Sequence, residues 1–294
     1  MSASLCGIPL RGPILNGSGT FDFIAARRTY GDSLLASFPF DAFVTKTITL
    51  DPRQGNPPPR LWETPAGLIN SIGLPNKGLE GFLAGDLPHL RDLPVPLVVS
   101  VMGYGPEELA RLAGAVGARD EVAAVELNVS CPNVESGLIM GSDPAETARA
   151  VERVRAVTAK PVIVKLTPNA TDPGAVAAAA ESAGADGVSL INTLRGMALD
   201  PRSGAPWLGG VTGGVSGPAV RAVALEQVRA VAARVSIDIV GMGGVASGRD
   251  AADFLSLGAS CVAVGTESFR DPAAGLRIGR ELRTVSAGAL PATP

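Results

Sequence analysis

Short apolar runs recur along the chain, separated by longer stretches in which apolar residues return with helical spacing. Eight such runs stand at 42–46, 66–70, 96–101, 123–128, 161–166, 187–192, 237–241 and 261–265. The intervening stretches 106–116, 143–158, 173–183, 218–234 and 247–257 are rich in Ala, Leu, Val and Arg and read as helices. Ser142 or Asp143 ahead of Pro144 marks a helix start, and Gly184 and Gly258 fall just past helix ends. Strand and helix in alternation imply parallel strands. Eight of them predict an α/β fold, a closed (β/α)8 TIM barrel forming a single domain over residues 1–294. A doubly wound open sheet is the alternative, but no GxGxxG follows the first run. Pro and Gly recurring through residues 5–20 predict a short N-terminal hairpin that caps one end of the barrel. Within 195–217, a turn at Pro201-Arg202-Ser203-Gly204 predicts a hairpin inserted at the active face, walling the pocket or meeting another subunit.

A barrel of this kind carries its site at the C-terminal ends of its strands. The runs end in turn at Lys46, Asn70, Ser100, Asn128, Lys165 and Asn192-Thr193, and the last two lead into Gly243-Gly244 and Gly265-Thr266. One polar residue at a strand exit means little. Six in succession, followed by two glycine turns, mark a chemical face. Gly241-Met242-Gly243-Gly244-Val245, with Ser247 opening a helix, offers backbone N–H groups at a positive helix end. Ordinary turns are the plainer reading, but loops after strands seven and eight are this barrel's usual phosphate seat, so a phosphate-bearing cofactor is expected. Asn16-Gly17-Ser18-Gly19-Thr20 lets backbone approach a flat ligand. The amides of Asn70, Asn128, Asn133 and Asn192 both donate and accept, which suits a pyrimidine or a flavin edge.

The stretch Val125-Glu126-Leu127-Asn128-Val129-Ser130-Cys131-Pro132-Asn133 is the candidate centre of the chemistry. It reads as a buried strand that ends in an amide and hands a thiol to the loop beyond. A lone Cys is more often buried filler. Here polar residues flank the thiol on both sides, which favours Cys131 as a base. The segment 134–141, with Gly137 and Gly141 as hinges, is expected to act as a lid that excludes water. Cys261 opens an apolar strand and reads as core, while His89 reads as structural or surface, in a loop away from the strand ends.

Composition narrows the classes. A net charge of −3 without a basic cluster argues against nucleic acid as partner. The first seven residues lack the pattern of a signal peptide and no run is long enough to span a bilayer, so a cytoplasmic protein with no membrane partner is expected. Three Cys and one His form no metal-ligand cluster, and neither zinc nor an iron–sulfur centre can be built from them. Only four of 25 basic residues are Lys, yet Lys46 and Lys165 both end apolar runs, where a compact ammonium fits a cramped polar pocket. Without a metal cluster or a Ser–His pair, hydrolysis is poorly supported. Thiol, amines and amides fit proton abstraction coupled to hydride transfer to an organic cofactor.

With these residues placed, the chain resembles the class 1 dihydroorotate dehydrogenases. The resemblance rests on Lys46-Thr47, Gly55-Asn56-Pro57-Pro58-Pro59-Arg60, Asn70-Ser71-Ile72-Gly73-Leu74-Pro75-Asn76 and Asn128-Val129-Ser130-Cys131-Pro132-Asn133-Val134. Val164-Lys165-Leu166, Ile191-Asn192-Thr193, Thr212-Gly213-Gly214-Val215-Ser216-Gly217-Pro218, Gly241-Met242-Gly243-Gly244 and Val264-Gly265-Thr266 complete it, over about residues 5–270. It implies an FMN enzyme that oxidises dihydroorotate to orotate in pyrimidine synthesis. Cys131 would take the C5 proton while hydride leaves C6 for the flavin. Lys46, Asn70, Ser71, Ile72, Gly73, Leu74, Asn128, Asn192 and Thr193 would hold substrate. Ser18, Lys46, Thr47, Ser100, Asn128, Lys165, Ile191, Gly217, Gly243, Gly244, Gly265 and Thr266 would hold FMN, with Lys165 favouring the anionic reduced form.

The wording from Cys131 to Gly137 is most similar to the class 1B, NAD-linked catalytic subunits. That implies a homodimer core beside an FAD- and iron–sulfur-bearing electron-transfer subunit, in a heterotetramer. A fumarate-linked class 1A enzyme and a dihydropyrimidine dehydrogenase-like reductase are the alternatives. Two departures stand out: Ser100 where the family generally has Asn, and Phe21-Asp22-Phe23 in place of a Gly-rich continuation.

Overall fold

The structure, a computed structural model, describes residues 3–130 and 140–287. β1 (Ala3–Leu5) and β2 (Ile8–Leu10) form the expected antiparallel hairpin. β3 (Ile14–Asn16) and β4 (Phe43–Val44) begin the barrel, and β5 (Leu61–Thr64) and β6 (Gly67–Asn70) leave it. β7 (Leu97–Val101), β8 (Val122–Asn128), β9 (Val162–Lys165) and β10 (Gly187–Leu190) continue it. β11 (Leu194–Gly196) and β12 (Gly213–Ser216) leave again, and β13 (Asp238–Met242) and β14 (Cys261–Val264) complete the ring. Its eight strands run in the order β3-β14-β13-β10-β9-β8-β7-β4, and a parallel Leu15–Ala42 bridge joins the two ends. The (β/α)8 barrel is therefore present.

Two strands differ from the sequence reading. The run 66–70 is not a barrel strand, because Gly67–Asn70 alternates buried and half-buried positions and pairs antiparallel with β5 and β12. Alternation of that kind belongs to a sheet with one solvated face, whereas β7 is buried at all five positions. The missing barrel strand is β3, part of the stretch read as capping hairpin; three residues between Pro13 and Gly17 are too few to show a period. One gain and one loss leave β13 and β14 as strands seven and eight.

A side chain seals the seam between β3 and β4. Fully buried Asn16 donates from Nδ2 to the Val44 carbonyl at 2.8 Å, and its Oδ1 accepts from the Val44 N–H at 2.8 Å. The amide thus supplies the donor and acceptor that a longer ladder would have provided. Apolar packing forms two layers. Leu15, Ala42, Val44, Val98, Ala124, Ile163, Val240, Met242 and Ala263 fill the barrel lumen, closed below by Leu5 and Leu10 of the hairpin. The larger core lies between the strands and the surrounding helices.

Two helices start on Asp-Pro. Asp143 Oδ1 accepts from the Ala145 and Glu146 N–H groups at 2.8 and 3.1 Å, ahead of helix Pro144–Arg155. Asp172 repeats the device with Pro173 and the Ala175 N–H at 3.0 Å. Gly184 and Gly258 take left-handed φ of +98° and +103° just past helix ends, as their positions predict.

β11, β12, β6 and β5 form a separate antiparallel sheet. The hairpin turn at 201–204 closes as expected, with Asp200 and Ala205 bonded through backbone and Leu199 bridged to Pro206. Trp62 and Trp207 meet edge to face at 5.0 Å over Ile69, Ala198 and Leu208, a small second core. Among the described residues no helix is long and apolar enough to cross a membrane.

Candidate active site

All barrel strands are parallel, so their C-terminal exits meet at one mouth. There a hydroxyl acts as the hub. Thr47 Oγ1, 2% exposed as a residue, lies 3.1 Å from Ser18 Oγ and 2.9 Å from Ser100 Oγ, and accepts from Asn128 Nδ2 at 3.3 Å. Four candidates from four separate exits are thereby brought together. Ser18 Oγ also donates to the Thr45 carbonyl at 2.8 Å. Ser100 is fully buried, its Oγ bonded to Thr47 Oγ1 and its N–H to Thr45 Oγ1, so its hydroxyl completes this network.

Two lysines point into the same mouth. Lys165 is 6% exposed, and among the described residues its ammonium has neither an ion pair nor a hydrogen bond. An ammonium so placed calls for an anionic or polar partner. Lys46 reaches solvent through the mouth, yet the surrounding protein pushes it below the ordinary lysine range, partly opposed by the charge of Asp22. A Cβ placed on Gly19 would lie 3.6 Å from Lys46 Nζ, so that loop packs on the lysine. Asp22 also caps helix Phe23–Tyr30 through the Ala25 N–H, and Phe21 stacks edge-on against Phe38 and Phe40. The Phe21-Asp22-Phe23 departure is thus an aromatic anchor and a helix cap.

The Asn70–Leu74 segment reaches the mouth through the antiparallel sheet. Asn70 Nδ2 donates to the Gly214 carbonyl at 3.2 Å, and a Cβ on Gly214 would sit 1.9 Å from Thr193 Oγ1. Only a residue without a side chain lets Thr193 come this close. The loop is braced from behind by Asn56, a residue without an assigned role in the sequence reading. Asn56 Nδ2 donates to Ser71 Oγ at 2.9 Å and its backbone N–H to the Ile72 carbonyl at 3.0 Å. Its only sequence signal was membership of the Gly55–Arg60 motif. Gly73 and Leu74 both take left-handed φ, +74° and +54°. Opposite this loop, Asn192 Nδ2 donates to Ser130 Oγ at 2.9 Å and Asn192 Oδ1 accepts from the Thr193 N–H at 2.9 Å. This ties β10's exit to the residue just before Cys131. Cys131, Pro132, Asn133 and lid residues 134–139 lie outside the described residues.

The late glycine turns line a pocket with Gly217, Val245 and Arg270. Gly243 and Gly244 take φ of +128° and +74°. Among the described residues, the backbone N–H groups of Gly244, Val245 and Thr266 donate to no acceptor. At the start of the following helix the Gly248 N–H is taken by Glu281 Oε2 at 2.7 Å and the Asp250 N–H by Ser247 Oγ at 3.2 Å, which leaves the Arg249 N–H beside the donors of the turn. Thr266 Oγ1 lies 2.9 Å from Ser216 Oγ, tying the sheet to β14's exit. Ile191 is buried beside Gly243, where a Cβ would lie 3.1 Å from its Cγ1.

Cys261 is fully buried in the lumen, as expected of core, and its thiol is pushed up to about 12, chiefly by burial and then by Asp238. Burial also raises the Cys6 thiol far above the usual range. With a pKa near 12, roughly one Cys261 in 10⁴ is thiolate at pH 8. Iodoacetamide at pH 8 should therefore spare both until the protein is denatured, as read by peptide mass spectrometry; rapid native labelling of either would contradict their placement. His89 is exposed on the short helix Leu87–Leu90, at the surface as expected but not in a loop. No group of three or more metal-ligating side chains occurs among the described residues.

Residues 1–285 match the dihydroorotate dehydrogenase family. A Pelobacter propionicus protein named dihydroorotate dehydrogenase B (NAD(+)), catalytic subunit, is 46% identical over 281 residues, 95% of this chain and 91% of that one. A Trichlorobacter lovleyi protein of the same name is 46% identical over 279 residues, covering 95% and 90%. An Eimeria tenella DHODH crystal structure with ferulenol shares the fold, with a TM-score of 0.78 at 21% identity, over 98% of this chain and 85% of that one. Near-full-length identity at this level, on a barrel whose polar exits converge as described, leaves one assignment: the chain belongs to the dihydroorotate dehydrogenase family.

Proposed function

We propose that this chain is the catalytic subunit of a class 1B dihydroorotate dehydrogenase, oxidising (S)-dihydroorotate to orotate in de novo pyrimidine synthesis, with residues 1–294 forming one FMN-binding barrel domain. The observation that carries the reading is the barrel end itself, whose strand exits carry the Lys165 ammonium, unpaired among the described residues, the Thr47 hub and turn N–H groups without an acceptor there. That donor set fits FMN. The N–H groups of Gly244, Val245 and Thr266 suit a phosphate, and φ of +128° and +74° at Gly243 and Gly244 allow close approach. Ser18, Lys46, Thr47, Ser100, Asn128, Lys165, Ile191, Gly217, Gly243, Gly244, Gly265 and Thr266 would hold the cofactor. When bound, FMN supplies the acceptor for the hydride that leaves C6 of dihydroorotate.

The chain's residues do the rest. Cys131 takes the proton from C5. Asn70, Ser71, Ile72, Gly73, Leu74, Asn128, Asn192 and Thr193 hold the pyrimidine ring by amide and backbone groups, which keep their donor and acceptor pattern at any working pH. Lys46 supplies positive charge toward the substrate carboxylate. Asn192, held by Ser130, keeps the Cys131 loop's first residues in register with the substrate. The 134–141 segment, acting as a lid, excludes water while the base works.

Electrons must then leave. Three Cys, two of them spent on the barrel's lower end, provide no iron–sulfur ligand set, so an FAD- and iron–sulfur-bearing partner passing electrons to NAD fits this chain. A homodimer core is supported by exposed Leu61, Met197, Leu199 and Val211 on the antiparallel insertion. The assembled enzyme is cytoplasmic in this reading. The test is a purified holoprotein assayed with dihydroorotate and dihydrouracil, with NAD and with fumarate. Flavin bleached by dihydroorotate alone, with NAD turnover only beside the partner, is expected. Bleaching by dihydrouracil would favour the dihydropyrimidine reductase reading, and direct turnover with fumarate the class 1A one.

A further inference from the structure

One charged group in the lumen has no place in the mechanism above. Glu126 is 3% exposed; its Oε2 accepts from Ser189 Oγ at 2.9 Å, and its Oε1 is buried with no hydrogen-bond partner among the described residues. It lines an internal cavity whose other walls, apart from Asn16, are apolar. A buried carboxylate in such surroundings is costly unless a cation lies near it.

The ladder identifies it. Glu126 stands opposite Ile163 and Asn128 opposite Lys165, so Glu126 and Lys165 lie one lumen layer apart, about 7 Å of strand rise. Ile163 lines the same cavity as Glu126, and side chains two apart on a strand share a face, so Lys165 projects inward just above it. Ser189, the hydrogen-bond partner of Glu126, is itself paired with Lys165 across the neighbouring ladder. Neither charge has an ion pair at contact distance among the described residues. Two opposite buried charges on facing layers attract through poorly screened protein.

We propose that Glu126 is the counter-charge of Lys165 and acts as a positioning residue for the cofactor's electrostatics, a role that rests on FMN occupying the mouth. Lys165 favours negative charge on reduced flavin; Glu126 beneath it holds that pull down. Without Glu126, charge on the bound cofactor becomes easier to gain. The isosteric Glu126→Gln keeps the bond to Ser189 and removes only the charge.

The experiment has two arms. In FMN-loaded protein, Glu126→Gln should raise the flavin midpoint potential by about tenfold in the oxidised–reduced equilibrium, about 30 mV for a two-electron couple, read by dye-referenced spectroscopic titration. An unchanged or lowered potential overturns the proposal. In FMN-free protein, denaturant unfolding of Glu126→Gln, Lys165→Met and the double variant should be non-additive, with the double variant more stable than the two single losses imply. Additivity overturns the pairing. Should Glu126→Gln alone fail to fold, folding of the double variant supports the pair and its failure overturns it. If the parent itself binds no FMN, the functional reading falls, and the cofactor-free cycle still decides whether the two charges are coupled.

Discussion

Cys131→Ser should slow reduction of bound FMN by dihydroorotate by about 10²- to 10⁴-fold, the range a general base contributes. The expectation rests on where the chain delivers this residue. β8 ends at Asn128, which is tied to Thr47; Ser130, two residues on, accepts from Asn192 Nδ2 at 2.9 Å. The thiol therefore follows directly on a segment fixed at both of these points. A hydroxyl at the same position is a far weaker base, while size and shape barely change. Stopped-flow absorbance of the flavin under anaerobic conditions measures the step. The parent rate should climb with pH toward an ordinary thiol pKa of about 8.5, because only the thiolate can take the proton and its fraction grows up to that pH. The serine variant should lose that rise. A variant as fast as the parent would remove Cys131 as the base.

Asn16→Leu should destabilise the fold by about 2–6 kcal/mol. Leucine keeps the branched shape, with somewhat more bulk, but leaves the Val44 N–H and carbonyl without partners in a fully buried seam, at about 1–3 kcal/mol for each orphaned group. Beside it the seam is closed by the Leu15–Ala42 bridge and by Asp41, whose N–H donates to the Ile14 carbonyl at 2.7 Å and whose Oδ2 accepts from the Ile14 N–H at 3.0 Å, and neither reaches Val44. Asn16→Asp should cost at least as much at neutral pH, because its carboxylate still accepts from the Val44 N–H but turns a buried negative oxygen toward the Val44 carbonyl. Urea unfolding of the two variants against the parent decides this. A loss below about 0.5 kcal/mol for Asn16→Leu, the scale of a neutral surface change, would mean the barrel closes without the amide.

The helices and most barrel strands were legible because their signals are local. Asp143 and Asp172 before Pro, glycines just past helix ends, and fully apolar runs each state their structure within a few residues. Ile14–Asn16 failed to show because three residues carry no period. Gly67–Asn70 misled because its polar end resembled a barrel exit, although its alternate burial belonged to another sheet. The candidate residues were found by position at run ends, and the structure joins Ser18, Thr47, Ser100 and Asn128 through hydrogen bonds. Asn56, Ser130 and Glu126 were passed over, since each matters through one distant partner that adjacent sequence does not reveal.

The sequence by itself determined the alternation of strand and helix, the polar exits, the glycine turns and the ordered motifs that mark the family. Each is a property of residue type at short range. Tertiary structure alone decided which strands close the ring, how Asn70 comes beside Gly214 and Thr193, and which buried cation lies above Glu126. Those are questions of register between segments tens of residues apart. A shift of one residue in any ladder turns each side chain to the opposite face, so only the packed barrel fixes which groups meet.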